Sequence, residues 1–471
     1  MKLYRNAVIL AVIVGLLAGA YFYFKDKKQS SFTSDRGDII RIFDLSTDKM
    51  TGMILENEDG TFVFEKETVK EKNDDGKEVE RKVWVIKSPS DLKIDESRVN
   101  SIAINFSSLI ADKIIEEEAA DLAKYGLDKP VTVSVRMDDG TVKALEIGDK
   151  TPTGGAYYVK EKGGAKVYTI GSYTGERLKA RKNDIRDKKL FSFASDDITG
   201  LSMHRGSSEI FAAEKTGEYE WTMLSPIQGN VNSSAVAPML DAISQASVMN
   251  FIEENPADLG KYGLASPPYS FEFRTSAGKN KLLLGYEKEK NSEIYAKLAD
   301  SNEVFTISLS SFTFLDKPLK EIIEVFAYIV NINDVDKITV EMDGYTAECK
   351  LETDKEDKDK DRFWVNGKEV TELKDDKDSQ LFRKYYQALI GVTLSDVEVG
   401  AVPTGAPEIT FTYYLKKEPG TMKVEFVPKD GSYYYVRRNG QYTGIIVAKK
   451  KFDEPEGVRD MYRKLTEALN K

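Results

Sequence analysis

The feature that most constrains this chain is an internal repeat. The segment Asp121–Leu127 (DLAKYGL) recurs 137 residues later as Asp258–Leu264 (DLGKYGL), and Trp84 and Trp221 stand at the same spacing. The other pairs at this spacing are Ser88-Pro89 with Ser225-Pro226, Ile115-Glu116-Glu117 with Ile252-Glu253-Glu254, Gly148 with Gly285, Tyr158 with Tyr295, and Thr169-Ile170 with Thr306-Ile307. Agreement at so many positions predicts two structurally equivalent copies of one unit.

A third, more divergent copy follows the first two. Asp336–Thr339 echoes Asp196–Thr199, Phe363-Trp364-Val365 takes the place of the earlier tryptophan strand, and Tyr435 follows Tyr295 at a spacing of 140. The Lys-Tyr-Gly-Leu signature is absent there. Whatever that signature does, the third copy therefore does it differently or not at all.

Each copy shows the same series of elements. Short alternating segments rich in β-branched and aromatic residues predict strands, and apolar residues spaced three and four apart predict a helix. In the second copy the predicted strands are Ile198–Met203, Glu209–Glu214, Tyr219–Leu224, Tyr269–Arg274, Lys281–Leu284, Ile294–Leu298 and Val304–Ser308. The predicted helices lie around Val236–Val248, with Val236, Met239, Leu240, Ile243 and Ser247 or Val248 on one face, and around Ser311–Glu324. We predict three tandem β-β-β-α-β-β-β-β-α units of the α+β class with largely antiparallel sheets, at residues 38–190, 191–327 and 328–471.

A membrane anchor is expected before the repeats, at residues 1–28. Ala7–Phe24 is an uncharged run of 18 residues, which as a helix would span about 27 Å, close to the hydrocarbon thickness of a bilayer. Ala18-Gly19-Ala20 resembles a signal-peptidase site, so a cleaved signal is the alternative. Residues 29–37 suit a polar tether. We expect a single-pass protein of the cell membrane with its bulk outside the cytoplasm.

The repeated signature suits a helix that ends in a tight turn. In the second copy, Asn255 is expected to cap a short helix, and Gly263 suits the left-handed position after its end. The alternative is that the two Lys-Tyr pairs are presented to a partner. Those candidate residues are Lys124, Tyr125, Lys261 and Tyr262.

The tandem units, the tryptophan strand, the amphipathic helix and the D-L-x-K-Y-G-L turn together resemble the domain-of-unknown-function 4340 (DUF4340) family. The resemblance covers nearly the whole chain after the expected anchor, and the third copy lies outside its clearest pattern. It implies a bacterial membrane-anchored protein, often encoded beside gliding-type ABC transporter subunits. It implies no catalytic residues.

Residues for catalysis or metal binding are scarce. The chain has one histidine, His204, and one cysteine, Cys349, which excludes two-histidine and multi-cysteine metal sites. The acidic stretch Asp354–Asp361 has arginine and lysine where a calcium loop needs glycine and glutamate. The net charge of −10 disfavours nucleic-acid binding. We expect no enzyme activity, cofactor or metal, although counting carboxylates leaves a carboxylate-based hydrolase open.

The third copy carries the best candidate for a ligand-facing surface. Tyrosines alternate there with basic residues, a composition that can stack on sugars or hold an anionic wall polymer. The candidates are Tyr433, Tyr434, Tyr435, Arg437 and Arg438. The leading hypothesis is a non-catalytic, membrane-anchored scaffold or accessory protein of an ABC-type envelope transport system, in contact with its membrane subunits. The second is a module that binds cell-wall polymer or glycan through the third copy.

Overall fold

The structure, a computed structural model, describes residues 39–72, 76–227, 229–418 and 420–470. The described residues fall into two compact units, one ending at Asp187 and the other beginning at Lys188. No helix among them is both long and apolar enough to cross a bilayer. The expected anchor at Ala7–Phe24 and the tether at 29–37 lie outside the described residues.

The first unit contains one eight-stranded sheet and a separate two-stranded sheet. Its strands are β1 Ile40–Asp44, β2 Met50–Asn57, β3 Gly60–Lys72, β4 Glu78–Ser88, β5 Ser108–Ala111, β6 Lys113–Glu116, β7 Val131–Met137, β8 Val142–Lys150, β9 Ala156–Glu161 and β10 Val167–Gly171. The large sheet has the order β4-β3-β2-β7-β8-β9-β10-β6, and β1 pairs with β5.

The second unit contains two nine-stranded sheets. The strands of the second sheet are β11 Gly200–Arg205, β12 Ser208–Lys215, β13 Trp221–Ser225, β14 Gly229–Asn230, β15 Phe251–Glu254, β16 Tyr269–Thr275, β17 Gly278–Glu289, β18 Glu293–Leu298 and β19 Glu303–Ser308. The strands of the third sheet are β20 Val335–Met342, β21 Tyr345–Glu352, β22 Arg362–Val365, β23 Lys368–Glu369, β24 Asp396–Val397, β25 Ile409–Leu415, β26 Thr421–Pro428, β27 Tyr433–Arg438 and β28 Gln441–Ala448.

All three large sheets have one topology. In each sheet the first three long strands pair as a meander. The first strand of this meander also pairs with the first of four later long strands, and these four continue the sheet in chain order. Every ladder is antiparallel, which confirms the predicted strand-rich antiparallel class. The sequence did not predict the short strand that follows the helix in each copy. This strand (β6, β15 or β24) closes the far edge by pairing with the last long strand.

The helices cover one face of each sheet. They are α1 Glu96–Ser107, α2 Ser172–Leu178, α3 Lys182–Ile185, α4 Ser233–Ser244, α5 Leu381–Ile390 and α6 Val458–Leu469. Asp95 caps α1 by accepting a hydrogen bond from the Ser97 amide at 2.9 Å, and Asn232 caps α4 in the same way. Val236, Met239, Leu240 and Ile243 of the predicted α4 stripe face the core as expected, but the helix ends at Ser244, before the predicted Ser247 or Val248.

The predicted closing helix at Ser311–Glu324 is wrong. The structure has only two 3-10 turns there, at Leu309–Ser311 and Leu319–Glu321. Pro318 is extended and cannot continue a helix, while Phe312 and Phe314 turn into the core. In the first copy, two short helices, α2 and α3, stand where the closing helix of the unit is predicted.

Alternation along the strands gives each sheet two different faces. One face packs against the helices and forms the main core of its unit. The opposite face, called here the far face, carries small separate apolar clusters in the first two copies. The repeated signature lies on the far face.

Candidate functional site

In the second copy the signature forms one turn of 3-10 helix at Gly260–Tyr262. The Asp258 carboxylate accepts a hydrogen bond from the Gly260 amide at 2.7 Å, so Asp258 holds the start of the turn. Asn255, the predicted cap, has a positive φ of 53° and makes no helix cap. Gly263 is left-handed with φ 72°, as predicted, and Gly126 of the first copy matches it at 65°.

The turn packs flat against its sheet because a glycine lies beneath it. A Cβ atom placed on Gly285 of β17 would lie 2.0 Å from the Tyr262 carbonyl oxygen. On Gly148 of β8 it would lie 2.1 Å from the Tyr125 carbonyl oxygen. Any side chain at either position would push the turn off the sheet, which explains why both copies carry glycine there.

The turn buries its apolar residues on the far face. Tyr262, Leu264 and Val304 of β19 are each less than 8% exposed and form a cluster apart from the main core. The rings of Tyr262 and Tyr295 lie 4.9 Å apart. The signature thus seals the far face at the end of the sheet.

A charged group lies at the rim of this cluster. Glu253 of β15 accepts hydrogen bonds from Lys261 at 2.7 Å and from the Tyr262 hydroxyl at 2.6 Å. The Lys261 ammonium also lies 4.8 Å from the centre of the Tyr262 ring. Lys261 and then Tyr262 lower the pKa of the Glu253 carboxyl, and Glu253 raises the pKa of Lys261. We call Glu253, Lys261, Tyr262 and Tyr295 the second cluster.

The first copy repeats this arrangement. Lys124 pairs with Glu116 of β6 and lies 4.8 Å from the centre of the Tyr125 ring. The rings of Tyr125 and Tyr158 are also 4.8 Å apart. Lys124, followed by Tyr125, lowers the pKa of Glu116. Glu116, Lys124, Tyr125 and Tyr158 form the first cluster.

The third copy has no signature, but its far face carries a comparable group. Glu398 takes the place of Glu253 in this group. The Glu398 amide donates a hydrogen bond to the Gly444 carbonyl oxygen of β28. Strand register places Gly444 where the second sheet has Val304, the residue that pairs with Glu253. Lys429 pairs with Glu398 and lies 5.3 Å from the centre of the Tyr435 ring. The Tyr435 hydroxyl donates to Glu398 at 3.1 Å.

A second tyrosine completes this group. The Tyr442 hydroxyl donates to the Glu398 carbonyl oxygen at 2.9 Å, and its ring meets that of Tyr435 edge-on. Lys429 lowers the pKa of Glu398, and the Tyr435 hydrogen bond adds to this effect. Glu398, Lys429, Tyr435 and Tyr442 form the third cluster. The cation now comes from the end of β26 and not from a signature turn.

Two neighbouring positions change together with the lost signature. Strand register places Val427 of β26 where the second sheet has Gly285, and Gly444 where it has Val304. Val427 is 1% exposed, so a side chain fills the place that the turn would occupy. At Gly444 an added Cβ would lie 2.1 Å from Cγ2 of Ile227, which comes from the loop after β13 of the second copy. Ile227 therefore packs on the third sheet at Gly444, because this position has no side chain corresponding to Val304 of the second sheet.

The structure separates the residues of the predicted tyrosine-rich surface. Tyr434 is 3% exposed and packs in the core, so it does not lie on the surface as we expected; along β27 alternate side chains face opposite ways. Tyr433 is exposed, whereas Tyr435 is bonded to Glu398. Arg437 faces Glu425 at 3.4 Å. Among the described residues, Arg438 has no carboxylate within ion-pair distance.

Comparison with known proteins identifies the family. The family model for "Domain of unknown function (DUF4340)" matches residues 84–233 and again residues 221–398. The two matches begin at Trp84 and Trp221 and together cover about two thirds of the chain. The chain belongs to the DUF4340 family. The second DUF4340 match ends at Glu398, before the last four strands of the third sheet. No curated protein matches the chain.

Sequence reasoning missed the carboxylates of this DUF4340 chain. Glu116 and Glu253 stand at the repeat spacing, and that spacing was the signal that could have marked them as partners of the two lysines. Glu398 and Lys429 gave no such signal, because strand register alone brings them together. In the predicted Lys-Tyr pairs only the lysines lie at the surface, and they are already paired with glutamates. Tyr125 and Tyr262 are each 7% exposed, so their rings are buried in the far-face clusters and are not presented to a partner.

His204 and Cys349 are the one histidine and the one cysteine of this DUF4340 chain. No group of three or more histidine, cysteine, aspartate or glutamate residues in the described ranges is placed to hold a metal ion. His204 lies on β11 with its ring 20% exposed, and its Nε2 atom is 3.8 Å from Glu209. Cys349 is fully buried, and burial raises the pKa of its thiol to about 12, which keeps it protonated.

Proposed function

We propose that this DUF4340 chain is a non-catalytic, membrane-anchored scaffold or accessory protein of an ABC-type envelope transport system. Its three sheets would stand outside the cytoplasm and offer broad surfaces to protein partners. In this proposal the far-face clusters stabilise the repeats, and the partner contacts lie elsewhere on the exposed surface.

The observation that carries the proposal is the internal pairing of the three clusters. In each copy the glutamate is paired with a lysine of the same copy, and in the second and third copies a tyrosine hydroxyl also donates to it. Nucleophilic or general-base chemistry needs a carboxylate that is free to reach a substrate. A carboxylate held by two internal donors, with a lowered pKa, instead suits a brace between the last strand and its neighbours.

The membrane and transporter parts of the proposal rest on the sequence. The uncharged run Ala7–Phe24 has the length of a bilayer span and is followed by Lys25, Lys27 and Lys28. The DUF4340 resemblance supplies the expectation of a neighbouring ABC transporter. A chain of three tandem sheets has much surface for a partner that is itself held in the membrane.

The test is photocrosslinking in the native membrane. A photoreactive residue is placed at one exposed position in each copy: Tyr173 (67% exposed), Tyr219 (71%) and Val402 (81%). We expect at least one position to trap membrane subunits of an ABC transporter, identified by mass spectrometry. A chain that lacks residues 1–28 is the control and should lose both the membrane fraction and the crosslink.

Two results would contradict the proposal. One is that none of the three positions crosslinks to a transporter subunit while the chain remains in the membrane. The other is a purified body that hydrolyses a glycan or peptide and loses that activity on Glu253→Gln or Glu398→Gln. The second result would revive a carboxylate-based hydrolase.

The wall-polymer hypothesis remains a second candidate for one specific reason. Tyr434 is buried, and Tyr435 and Arg437 have partners of their own, so a broad ligand-binding row along β27 has little support. Of the two arginines of β27, Arg438 has no ion-pair partner in the part of the chain that the structure describes, and it borders a cavity. That cavity is a candidate ligand site because a guanidinium without an ion-pair partner among the described residues lines it.

A further inference from the structure

A cavity of about 380 Å³ lies where the second and third copies meet. Pro226 and Ile227 of the loop after β13 form one wall. Gly400 and Ala401, which follow Glu398, form another. The turn between β27 and β28 supplies the rest: Arg438, Gln441, Tyr442, Thr443 and Gly444. Both copies contribute to its walls, so the cavity depends on how they join.

The cavity lies beside Gly444, which stands where the second sheet has Val304. In the second copy, the signature turn and Val304 fill the far face beside the last strand. In the third copy Gly444 replaces the valine, and Ile227 packs against Gly444 and lines the cavity with it. The loop at Gly400 and Ala401 borders the remainder. Gly400 is left-handed with φ 82°, and because it has no side chain its backbone borders the cavity directly.

Arg438 is the charged group at this cavity. It is half-buried, and no carboxylate among the described residues lies within ion-pair distance of its guanidinium. Its neighbour Arg437 shows the contrast, since Glu425 lies 3.4 Å from it. The nearby Glu398 carboxylate is bonded to Lys429 and Tyr435 and is not available to Arg438. A partly desolvated guanidinium without a partner suits an external carboxylate or phosphate.

The other walls indicate what carries the acidic group. Gln441 and Tyr442 supply neutral hydrogen-bonding groups, and the backbone of Gly400 is accessible beside them. Pro226 and Ile227 supply an apolar wall that suits the C–H face of a sugar ring. A volume of 380 Å³ is near the lower end of the roughly 300–1,000 Å³ of small-molecule sites, so one sugar unit fits better than a long polymer segment.

We propose that this joint cavity binds a sugar unit that bears one acidic group, with Arg438 holding the carboxylate or phosphate. The single guanidinium matches one acidic group, and the net charge of −10 on the whole chain repels ligands with several acidic groups. The site goes beyond the scaffold function, because it would let the repeat body sense or hold an envelope saccharide independently of any transporter contact.

The test is a titration of the full-length chain in detergent micelles with three matched sugars. Glucuronic acid carries a carboxylate, glucose 1-phosphate carries a phosphate, and glucose is neutral. Calorimetry or ligand-observed NMR gives the dissociation constants. We expect one or both acidic sugars to bind about tenfold or more tightly than glucose, since a charge-assisted pair contributes most of the affinity. Preference between the two acids distinguishes a carboxylate from a phosphate source.

Variants assign the effect to Arg438. Arg438→Gln should abolish the preference for acidic sugars, and Arg437→Gln, one residue away, should preserve it. Ala401→Trp should weaken all binding by filling the cavity. Three results would each overturn the proposal. The first is equal binding of glucose and the acidic sugars, and the second is no binding of either acidic sugar at about 10 mM. The third is an Arg438→Gln chain that keeps the preference for acidic sugars. If Arg438→Gln does not fold, the wild-type comparison of charged with neutral sugar decides alone.

Discussion

The second and third sheets have the same strand order, yet they hold the far-face glutamate in different ways. In the second sheet the signature turn supplies both Lys261 and Tyr262 to Glu253. In the third sheet there is no turn, and Lys429 and Tyr435 reach Glu398 from β26 and β27. The position of the glutamate and its pairing with lysine and tyrosine are common to both sheets, whereas the segment that provides the partners differs.

This difference shows which part of the signature is structural. Where the turn is present, Gly285 makes room for it and Val304 packs beneath it. Where the turn is absent, Val427 fills the first place and Gly444 leaves the second open to Ile227. The two positions change together because each depends on whether a backbone turn lies on the sheet.

The largest expected effect comes from Gly285→Ala, which tests whether the turn needs a bare strand beneath it. The new Cβ would lie 2.0 Å from the Tyr262 carbonyl oxygen. We expect a loss of about 3 kcal/mol in the free energy of unfolding, because the turn has to move off the sheet. Urea denaturation followed by circular dichroism measures it.

The control is Gly431→Ala in the same unit. No atom lies within 4 Å of the Cβ position at Gly431, and its φ is not positive. Its unfolding free energy should change by less than about 1 kcal/mol. Equal losses in the two variants would show that the close approach at Gly285 has no special role.

The second effect concerns the joint between the two copies. Ile227→Ala should cost about 2 kcal/mol, because Ile227 is 7% exposed and loses its contact with the third sheet. Gly444→Ala should cost a similar amount, because its Cβ would lie 2.1 Å from Ile227 and its φ is 82°. In the double variant the 2.1 Å contact with Cγ2 is removed and only the Cβ of residue 227, 3.0 Å away, remains close. The loss should therefore fall below the sum of the two single losses. Strict additivity would mean that the residues do not interact.

A smaller effect separates the two tyrosines. Tyr262→Phe removes a hydrogen bond of 2.6 Å to Glu253 at a site 7% exposed, and about 1 kcal/mol should be lost. Tyr435→Phe removes a bond of 3.1 Å at a more exposed site and should cost less. Thermal unfolding of both variants gives the order. A greater loss from Tyr435→Phe would reverse our comparison of the two clusters.

The smallest effect is on the acid side of the stability profile. The pKa values of Glu253 and Glu398 lie below their ordinary value of 4.5. A lowered pKa in the folded state adds stability above pH 4.5, and that stability is lost as the pH falls through the folded pKa. The double variant Glu253→Gln with Glu398→Gln should therefore lose less stability than wild type over this range. If the double variant loses as much stability as wild type when the pH falls, the pairing of these glutamates with lysine and tyrosine is contradicted.

The sequence was sufficient for the repeating strands but not for the clusters. Strand segments such as Tyr269–Thr275 follow from alternation, and the left-handed Gly263 follows from its place after a short helix. Alternation alone would also have placed Tyr434 inside. Lys429 and Glu398 are 31 residues apart without a shared motif, and only the register of β26, β27 and β28 brings them together. Short 3-10 turns replaced the predicted helix after β19 because tertiary packing of Phe312 and Phe314 overrides local helix propensity.

The most direct test of the shared design is an NMR titration of the glutamate side chains in wild type, Lys261→Met and Lys429→Met. We predict that Glu253 and Glu398 both titrate below 4.5 in wild type. Lys261→Met should raise the pKa of Glu253 alone, and Lys429→Met that of Glu398 alone. If Glu398 titrates at its ordinary value in wild type, or does not respond to Lys429→Met, then the third copy does not rebuild the cluster of the second.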